Sequence, residues 1–236
     1  MKILTWNCNG ALRNKFHLLD KFDGDILVIQ ECENPSETKD SNYKNWAENH
    51  LWIGDSKNKG IGIFAKKNIK LSQLSWSNTY KDHTVKYFLP FTVNEKITFL
   101  GIWTHKNNSP NFGYIGQLWK YIQINKSKLE NSILIGDFNS NKKWDEWDRW
   151  WNHSDVVREL SEIGLVSLYH HFTNEEQGKE SNPTFYLQKN INKPYHIDYC
   201  FAPKNLAKDI LDLKVGDFND WKTYSDHTPI IIEINI

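Results

Sequence analysis

The stretch ILIGDFNSN at residues 133–141 decides how the rest of the chain is interpreted. Its apolar run at 133–135 predicts a short buried strand that stops at Gly136. Because side chains alternate across a strand, Asp137 and Asn139 can project to one side just past its end. The stretch therefore predicts a carboxylate and an amide held together on a rigid support, although a solvent-facing turn without chemistry would use the same residues.

Length and composition predict a soluble globular protein. The chain has 236 residues, of which 39% are hydrophobic and 25% are charged, and no linker or composition shift divides it, so we expect a single domain over residues 1–236. No apolar run reaches the roughly 20 residues that a membrane-spanning helix needs. The N-terminus becomes polar too early for a secretory signal, which predicts a cytoplasmic protein without membrane contact. The sequence does not indicate an oligomeric state.

The charge balance bears on the class of partner. The chain has 29 Lys and Arg residues and 29 Asp and Glu residues, so its net charge is zero. A dedicated duplex-DNA binder usually has a basic surplus, and the balance weakens a nucleic-acid function without excluding it. A local basic face or bound divalent cations would supply positive potential. The three cysteines are odd in number and far apart, which predicts buried free thiols rather than disulfides.

Many short strands and a few helices are predicted along the chain. Apolar runs predict strands at residues 2–7, 25–30, 51–53, 60–65, 71–76, 85–93, 97–103, 133–135, 166–168, 184–187, 196–201 and 230–234. Helical spacing predicts helices at residues 12–22, 114–129, 142–151 and 156–163. This mixture indicates an α/β sandwich rather than a barrel of alternating units.

Five short motifs lie at the ends or starts of these predicted strands. They are WNCNG at 6–10, IQE at 29–31, GDFN at 136–139, HIDY at 196–199 and SDH at 225–227. In this order they resemble the endonuclease/exonuclease/phosphatase superfamily, which includes exonuclease III, apurinic endonucleases, DNase-I-like nucleases, sphingomyelinases and inositol phosphate phosphatases. The resemblance implies a four-layer α-β-β-α sandwich of two mixed, mainly antiparallel sheets flanked by helices, with the site at one rim of the sheets.

The resemblance also implies a divalent metal, Mg²⁺ or Mn²⁺. It assigns the metal to Glu31, with Asn7, Asn9 and Asp226 close by. Glu31 and Asp226 are hard oxygen ligands, and Mg²⁺ prefers one or two carboxylates together with water and phosphate oxygens. Without the other motifs, Glu31 would be interpreted as an exposed loop carboxylate.

The same resemblance implies roles for four residues around the scissile phosphate. Asp137 would orient or deprotonate the attacking water, and Asn139 would position Asp137 or bind the phosphate. His227 would donate to a non-bridging phosphate oxygen, and Asp198 would accept from its other ring nitrogen and set the tautomer. An Asx turn that ends the strand is the structural alternative for Asp137 and Asn139.

His105 follows the predicted strand at 97–103. If the resemblance extends to it, His105 contacts the phosphate or protonates the leaving group, and a surface histidine is the alternative. Relatives of exonuclease III usually carry a tyrosine in this part of the site, whereas DNase-I-like and sphingomyelinase relatives carry a histidine. This departure argues against a specialist for abasic sites.

Two aromatic segments are candidates for substrate contact. Residues 182–186 (NPTFY) resemble the aromatic segment that faces DNA in apurinic endonucleases, so Phe185 or Tyr186 would stack on a base or sugar. Strand packing is the alternative for both residues. The second segment is Trp-rich and occupies residues 142–151, directly after the GDFN motif, where Trp144 would form a wall of the substrate pocket.

For Trp147 and Trp151, spacing along a predicted helix favours packing on one helical face.

The sequence thus predicts a divalent-metal-dependent phosphoesterase that hydrolyses phosphodiester bonds. We expect a nuclease acting on DNA or RNA, with endonuclease and exonuclease action both open. The zero net charge leaves an alternative function open, that of a phosphodiesterase or phosphatase for a small phosphorylated molecule such as a nucleotide. A binding module without catalysis would require a broken motif, and all five motifs are intact.

Overall fold

A computed structural model describes residues 1–107, 109 and 111–236 of the chain. The strands are β1 (Lys2–Asn7), β2 (Ile26–Cys32), β3 (His50–Ser56), β4 (Lys59–Ala65), β5 (Leu71–Gln73), β6 (Thr79–Tyr80), β7 (His83–Thr84), β8 (Phe88–Val93), β9 (Ile97–Trp103), β10 (Ser132–Asp137), β11 (Leu165–Ser167), β12 (Phe185–Tyr186), β13 (Pro194–Tyr195), β14 (Asp198–Pro203), β15 (Ile210–Val215) and β16 (Ile230–Ile234). The α-helices are α1 (Ser41–Trp46), α2 (Ile115–Leu129), α3 (His153–Glu162), α4 (Leu168–Thr173), α5 (Lys204–Ala207) and α6 (Phe218–Trp221). Single 3-10 turns cover Leu12–Asn14, Phe16–Leu18, Asp20–Phe22, Pro35–Glu37, Lys142–Trp144 and Leu187–Lys189.

Most of the strands form two six-stranded sheets, each with one parallel pair. The first sheet has the order β15-β16-β1-β2-β4-β3, in which β1 and β2 are parallel. The second has the order β11-β14-β10-β9-β8-β5, in which β9 and β10 are parallel. The other neighbours in both sheets are antiparallel. Two mixed, mainly antiparallel sheets are therefore confirmed.

The alternation of side chains along the strands produces four layers. Ile133 and Ile135 of β10 join a core between the sheets that also contains Val28 of β2, whereas Leu134 joins a second core with residues of α2 and α3. On the far face of the first sheet, Leu27 and its neighbours pack against the 12–22 segment, α1 and α6. The predicted α-β-β-α sandwich is thus confirmed, with both sheets buried on two faces.

The register of the strands brings the motif residues to one rim. Asn7 at the end of β1 lies beside Gln30 of β2. In the other sheet, Asp137 at the end of β10 lies beside Trp103 of β9 and opposite Asp198 at the start of β14. Because two parallel pairs end at this rim, polar groups from both sheets meet there.

Two predicted helices are wrong. Residues 12–22 form three successive 3-10 turns between left-handed residues Ala11 and Asp23. In residues 142–151 only Lys142–Trp144 is helical, and the side chain of Asn152 holds the following residues in an irregular turn by bonding to backbone atoms of Glu146 and Arg149.

That turn also overturns the expected packing of Trp147, which is 95% exposed.

The remaining helices and the cysteines agree better with expectation. α2 matches the predicted helix at 114–129, and α3 begins three residues before the predicted 156 because Asn152 and Asp155 form a capping box. The three cysteines are free and buried, as predicted. No helix within the described residues has the length and apolar character to cross a membrane.

Candidate active site

The buried carboxylate of Asp137 lies at the centre of the polar rim. Its Oδ2 accepts from the side-chain amides of Asn7 at 2.9 Å and Asn139 at 2.8 Å, and its Oδ1 accepts from the backbone N–H of Asn139 at 2.8 Å. Asn7 belongs to the first sheet and Asp137 to the second, so this bond joins the two sheets. With donors on both oxygens, the carboxylate is held in one orientation.

Local backbone geometry explains why this carboxylate follows glycine and precedes Asn139 by two residues. At Gly136 φ is +145°, and an added Cβ would lie 1.9 Å from the backbone oxygen of Ile102, so a side chain does not fit. Asn139 has φ 46°, a left-handed conformation that asparagine tolerates better than most residues. The GDFN spacing therefore sets both the turn and the hydrogen bonds to Asp137.

A second pair of buried side chains lies next to Asp137. Nδ1 of His227 is 2.9 Å from Oδ2 of Asp198, and both residues are almost fully buried. The hydroxyl of Ser225 accepts from the backbone N–H of His227 at 3.0 Å and donates to the backbone oxygen of Asn7 at 2.7 Å. The structure thus brings His227, near the end of the chain, to the first strand.

Electrostatics shift the protonation of this cluster. Burial by itself would lower the pKa of His227, but the charge of Asp198, its hydrogen bond and the charge of Asp137 together raise that pKa to about 9. Burial and the neighbouring charge of Asp198 raise the pKa of Asp137, against the opposing effects of His227 and the amide of Asn7. A buried carboxyl with a raised pKa is a stronger proton acceptor than an ordinary aspartate.

Among the described residues, Asp137, Asp198 and His227 form the group of acidic and histidine side chains whose ligand atoms lie within 4.8 Å of one another. Oδ1 of Asp198 is buried and has no hydrogen-bond partner in the described part of the chain. Glu31, to which the resemblance assigns the metal, is not a member of this group. The compact group of possible ligand atoms therefore does not include the carboxylate to which the resemblance assigns the metal.

Glu31 lies at an irregularity of β2 and is paired with a lysine. The register of β2 against β4 shifts between Gln30 and Cys32, and Glu31 has φ 62°. Its Oε2 is 2.7 Å from Nζ of Lys59, the first residue of β4. An ammonium group thus stands where the resemblance places a cation.

The other residues assigned to the metal lie at the end of β1, in the loop that follows it and in the loop of Asp226. Oδ1 of the buried Asn7 accepts from the backbone N–H of Asn9 at 3.0 Å, and the side chain of Asn9 is exposed. Asp226 is half-buried next to Ser225, whose hydroxyl reaches the backbone of Asn7. The structure therefore brings Asn7, Asn9 and the loop of Asp226 together, and their role at a metal stays a prediction.

These residues fit a divalent cation in the chemistry of their donors. The carboxylates of Glu31 and Asp226 are hard oxygen ligands, which Mg²⁺ and Mn²⁺ prefer. Glu31 already holds a positive group, the Lys59 ammonium, at 2.7 Å.

Lys15 is a residue of this region that the sequence did not identify. Its Nζ donates to the backbone oxygens of Cys8 at 2.6 Å, Gly10 at 2.8 Å and Tyr224 at 2.7 Å. All three ammonium protons are thus used to tie the loop after β1 to the loop before Asp226. Nothing in its local sequence distinguishes Lys15 from a surface lysine.

Thr184 is another residue whose role is visible only in the structure. It is fully buried, and its hydroxyl accepts from the backbone N–H groups of Ile197 at 3.0 Å and Asp198 at 3.1 Å. These bonds hold the start of β14, from which Asp198 reaches His227.

His105 is exposed and packs edge-on against two aromatic rings. Its ring centroid is 5.3 Å from that of Trp103 and 5.6 Å from that of Tyr87. Partial burial lowers the pKa of His105, and the charge of Lys59 lowers it further, while Glu31 opposes the change. His105 therefore lies on the same side of the rim as the Glu31–Lys59 pair.

The aromatic candidates differ in their surroundings. Phe185 is half-buried, and its ring centroid is 4.7 Å from that of His227. Tyr186 is buried against Phe218 at 4.4 Å, so packing, not base stacking, is its role. Trp144 is 42% exposed and contacts the ring of Tyr195 at 4.7 Å. Phe185 and Trp144 thus remain available to a substrate.

The sandwich and the polar groups at its rim are typical of hydrolases that cleave phosphoester bonds. The family model described as Endonuclease/Exonuclease/phosphatase family matches residues 4–227, and the chain belongs to this family of metal-dependent phosphoesterases. The predicted family and hydrolase class are therefore confirmed.

Solved structures with the same fold include three from DNA-processing enzymes. A 3′-5′ exonuclease from Neisseria meningitidis superposes with a TM-score of 0.70 and 18% identity, a 3′ phosphatase from Neisseria bound to a product DNA hairpin with 0.72 and 18%, and an AP endonuclease from Archaeoglobus fulgidus with 0.70 and 18%. In each comparison 100% of both chains is covered. At this identity the similarity establishes the fold. No curated protein sequence matches the chain.

Proposed function

We propose that this chain is a divalent-metal-dependent nuclease that hydrolyses phosphodiester bonds of DNA or RNA. The observation that carries the proposal is the meeting of Asn7, Asp137, Asp198 and His227 at one rim, although up to 220 residues separate them along the chain (Asn7 to His227). The structures of an exonuclease, a 3′ phosphatase with a DNA hairpin and an AP endonuclease on the same fold favour nucleic acid as the substrate class. Cytoplasmic location and a single domain over residues 1–236 stay predictions.

Asp137 is our proposed base for the attacking water. The two amides and the backbone N–H that it accepts from hold its carboxylate in place, so it needs no reorganisation during the reaction. Its raised pKa makes proton acceptance from water less unfavourable than for an ordinary aspartate. Asn139 is then a positioning residue for Asp137, in addition to any bond it makes with phosphate.

His227 is our proposed donor to a non-bridging phosphate oxygen. With its pKa raised to about 9, the ring is positively charged at neutral pH. Nδ1 is engaged by Asp198, which leaves Nε2 to donate to the developing negative charge. His105, near the Glu31–Lys59 pair, is our candidate for contact with the phosphate or the leaving group.

Glu31 would hold the divalent cation, Mg²⁺ or Mn²⁺, with Asn7, Asn9 and Asp226 as its neighbours. Such a cation, when bound, neutralises charge on the phosphoryl oxygens. The chain's own contribution is to hold the loop of Asp226 against Asn7 at the end of β1 through Ser225.

A substrate panel tests this function. It comprises single- and double-stranded DNA, abasic DNA, DNA with a 3′ phosphate, RNA, cyclic dinucleotides and phospholipid head groups, each with Mg²⁺, Mn²⁺ or EDTA, and an Asp137→Asn, His227→Ala double variant is the blank. We expect metal-dependent cleavage of nucleic acid, with substrate affinity that falls steeply as salt rises. Turnover of small phosphorylated molecules alone, without this salt dependence, would identify the alternative function, and equal hydrolysis by the blank would refute the site.

A further inference from the structure

A pocket of about 650 Å³ opens directly beside the candidate active site. Asn139, whose amide donates to Asp137, is one of its lining residues. The opposite wall is aromatic and comes from the loop before α2 and from the Trp-rich segment. We call this space the tryptophan pocket and define it by Asn139, Phe112, Tyr114, Trp144, Trp150 and Trp151.

In the aromatic wall, the indole of Trp151 is stacked on another ring, whereas the indole of Trp150 is largely open to solvent. Trp151 stacks on Phe112 with ring centroids 3.9 Å apart and an interplanar angle of 22°. Trp150 stands perpendicular to Trp151 at 4.8 Å and is 61% exposed, and Tyr114 is 46% exposed. Aromatic surface that is left open to water next to a reaction centre is typical of a binding site rather than of packing.

Charged groups complete the pocket. Lys106 and Arg149 line it, and Asp148 is its acidic lining residue within the described part of the chain. The lining therefore has one more positive than negative charge, and Nε of Arg149 is 3.8 Å from Oδ1 of Asp148. His153 also lines the pocket, and Nδ1 of its buried ring has no hydrogen-bond partner among the described residues.

We propose that the tryptophan pocket holds one unstacked nucleobase of the substrate strand, next to the scissile phosphate. This inference rests on the proposed nuclease function and names a part of the substrate that the enzyme grips. Stacking on Trp150 suits any base because every base has a π-face, and Lys106 suits an adjoining phosphate. Because Asn139 lines the pocket and its amide donates to Asp137, the base would lie close to the bond that is cleaved.

Trp147 provides a matched control within the same segment. It is 95% exposed and is not among the residues that line the pocket. If exposed tryptophans simply attract nucleic acid, Trp147→Ala and Trp150→Ala should have similar effects. If the pocket holds a base, only Trp150→Ala should weaken oligonucleotide binding. Both side chains are largely open to solvent, so truncation of either leaves the core intact.

The experiment uses a set of labelled oligonucleotides in which single positions around the cleavage site carry a sugar without a base. Binding is measured with the Asp137→Asn protein, and cleavage with the active protein. In the Asp137→Asn protein with Trp150 intact, removal of one particular base should weaken oligonucleotide binding about tenfold, as expected for the loss of one base–aromatic stack. Trp150→Ala should weaken binding of the intact oligonucleotide by a similar factor and should abolish the dependence on that base.

Three results separate the two proposals. Cleavage of nucleic acid that is unaffected by Trp150→Ala and by every base removal would refute the pocket while the nuclease function stands. Equal losses in Trp147→Ala and Trp150→Ala would show general attraction to exposed indoles and would also refute it. Failure of the unmodified protein to cleave any nucleic acid would refute the nuclease function, and the pocket proposal with it.

Discussion

Nζ of Lys59 lies 2.7 Å from Oε2 of Glu31, so the carboxylate that family resemblance assigns to a metal is paired with an ammonium group. The same Nζ is 5.7 Å from the ring centroid of Trp103, which gives the lysine a second attractive partner. A divalent cation that binds Glu31 must compete with this lysine. Lys59 is thus expected to set how tightly the metal is held.

Removal of that competition should strengthen metal binding. In Lys59→Gln we expect the Mn²⁺ dissociation constant, measured by calorimetry without substrate, to fall several-fold, because the cation no longer displaces an ammonium group. Lys57→Gln, an exposed lysine of the same hairpin, is the control and should leave the constant unchanged. Weaker Mn²⁺ binding in Lys59→Gln would mean that Lys59 helps to form the site instead.

Lys15 should be important for stability and for the geometry of the site. Lys15→Met leaves three backbone oxygens without their charged donor, which should lower the free energy of unfolding by about 2–3 kcal/mol. Because these bonds join the loops of Asn9 and Asp226, kcat should fall more than KM rises. Urea unfolding and steady-state kinetics measure both effects, with the exposed Lys39→Met as control. An unchanged unfolding curve would contradict a stabilising role of the three Lys15 hydrogen bonds.

Asp198 should act through His227. Asp198→Asn removes the charge that keeps Nδ1 of His227 in place and the ring protonated, so kcat should fall by about 10²–10⁴-fold with a smaller change in KM. The basic limb of the pH–rate profile should also move to lower pH. Asp212→Asn, on β15 and paired with Lys214, serves as the matched control. Normal turnover in Asp198→Asn would contradict the role of Asp198 as a positioning residue for His227.

Glu180 offers a prediction on acid stability away from the reaction centre. Its carboxylate forms hydrogen bonds with Nε2 of His170 at 3.2 Å, the backbone N–H of Gly178 at 2.7 Å and the side-chain amide of Asn141 at 3.1 Å. Burial would raise its pKa, but these bonds outweigh burial and lower it from 4.5 to about 2. A lowered folded-state pKa stabilises the protein above pH 4.5, and this contribution is lost as the pH falls towards 2.

Glu180→Gln should therefore cost about 3 kcal/mol at pH 7, and the difference from the unmodified protein should shrink below pH 4.5. Urea unfolding at pH 7, 5 and 3 provides the measurement. Glu176→Gln is the control, because Glu176 is exposed and pairs only with Lys179 in the described structure, and its effect should be too small to detect. A difference in the free energy of unfolding that is constant with pH would contradict the lowered pKa of Glu180.

The segment 142–151 shows where sequence reasoning fails. Trp144, Trp147 and Trp151 are spaced like the face of a helix, yet Trp144 ends a 3-10 turn and Trp147 is exposed. Asn152 accounts for the difference, since its side chain bonds to the backbone of Glu146 and so competes with helical hydrogen bonds. Periodicity alone does not reveal such a bond.

By itself, the sequence determined the family, the two-sheet sandwich and the turn that presents Asp137. These follow from short-range requirements: apolar alternation along strands, a glycine where no Cβ fits at Gly136 and a left-handed Asn139. Two contacts were decided only by the tertiary structure. Lys15 donates a hydrogen bond to the backbone oxygen of Tyr224, 209 residues away along the chain. The pairing of β2 with β4 brings Lys59 into an ion pair with Glu31. Such contacts depend on which distant backbones come together, and no local pattern encodes them.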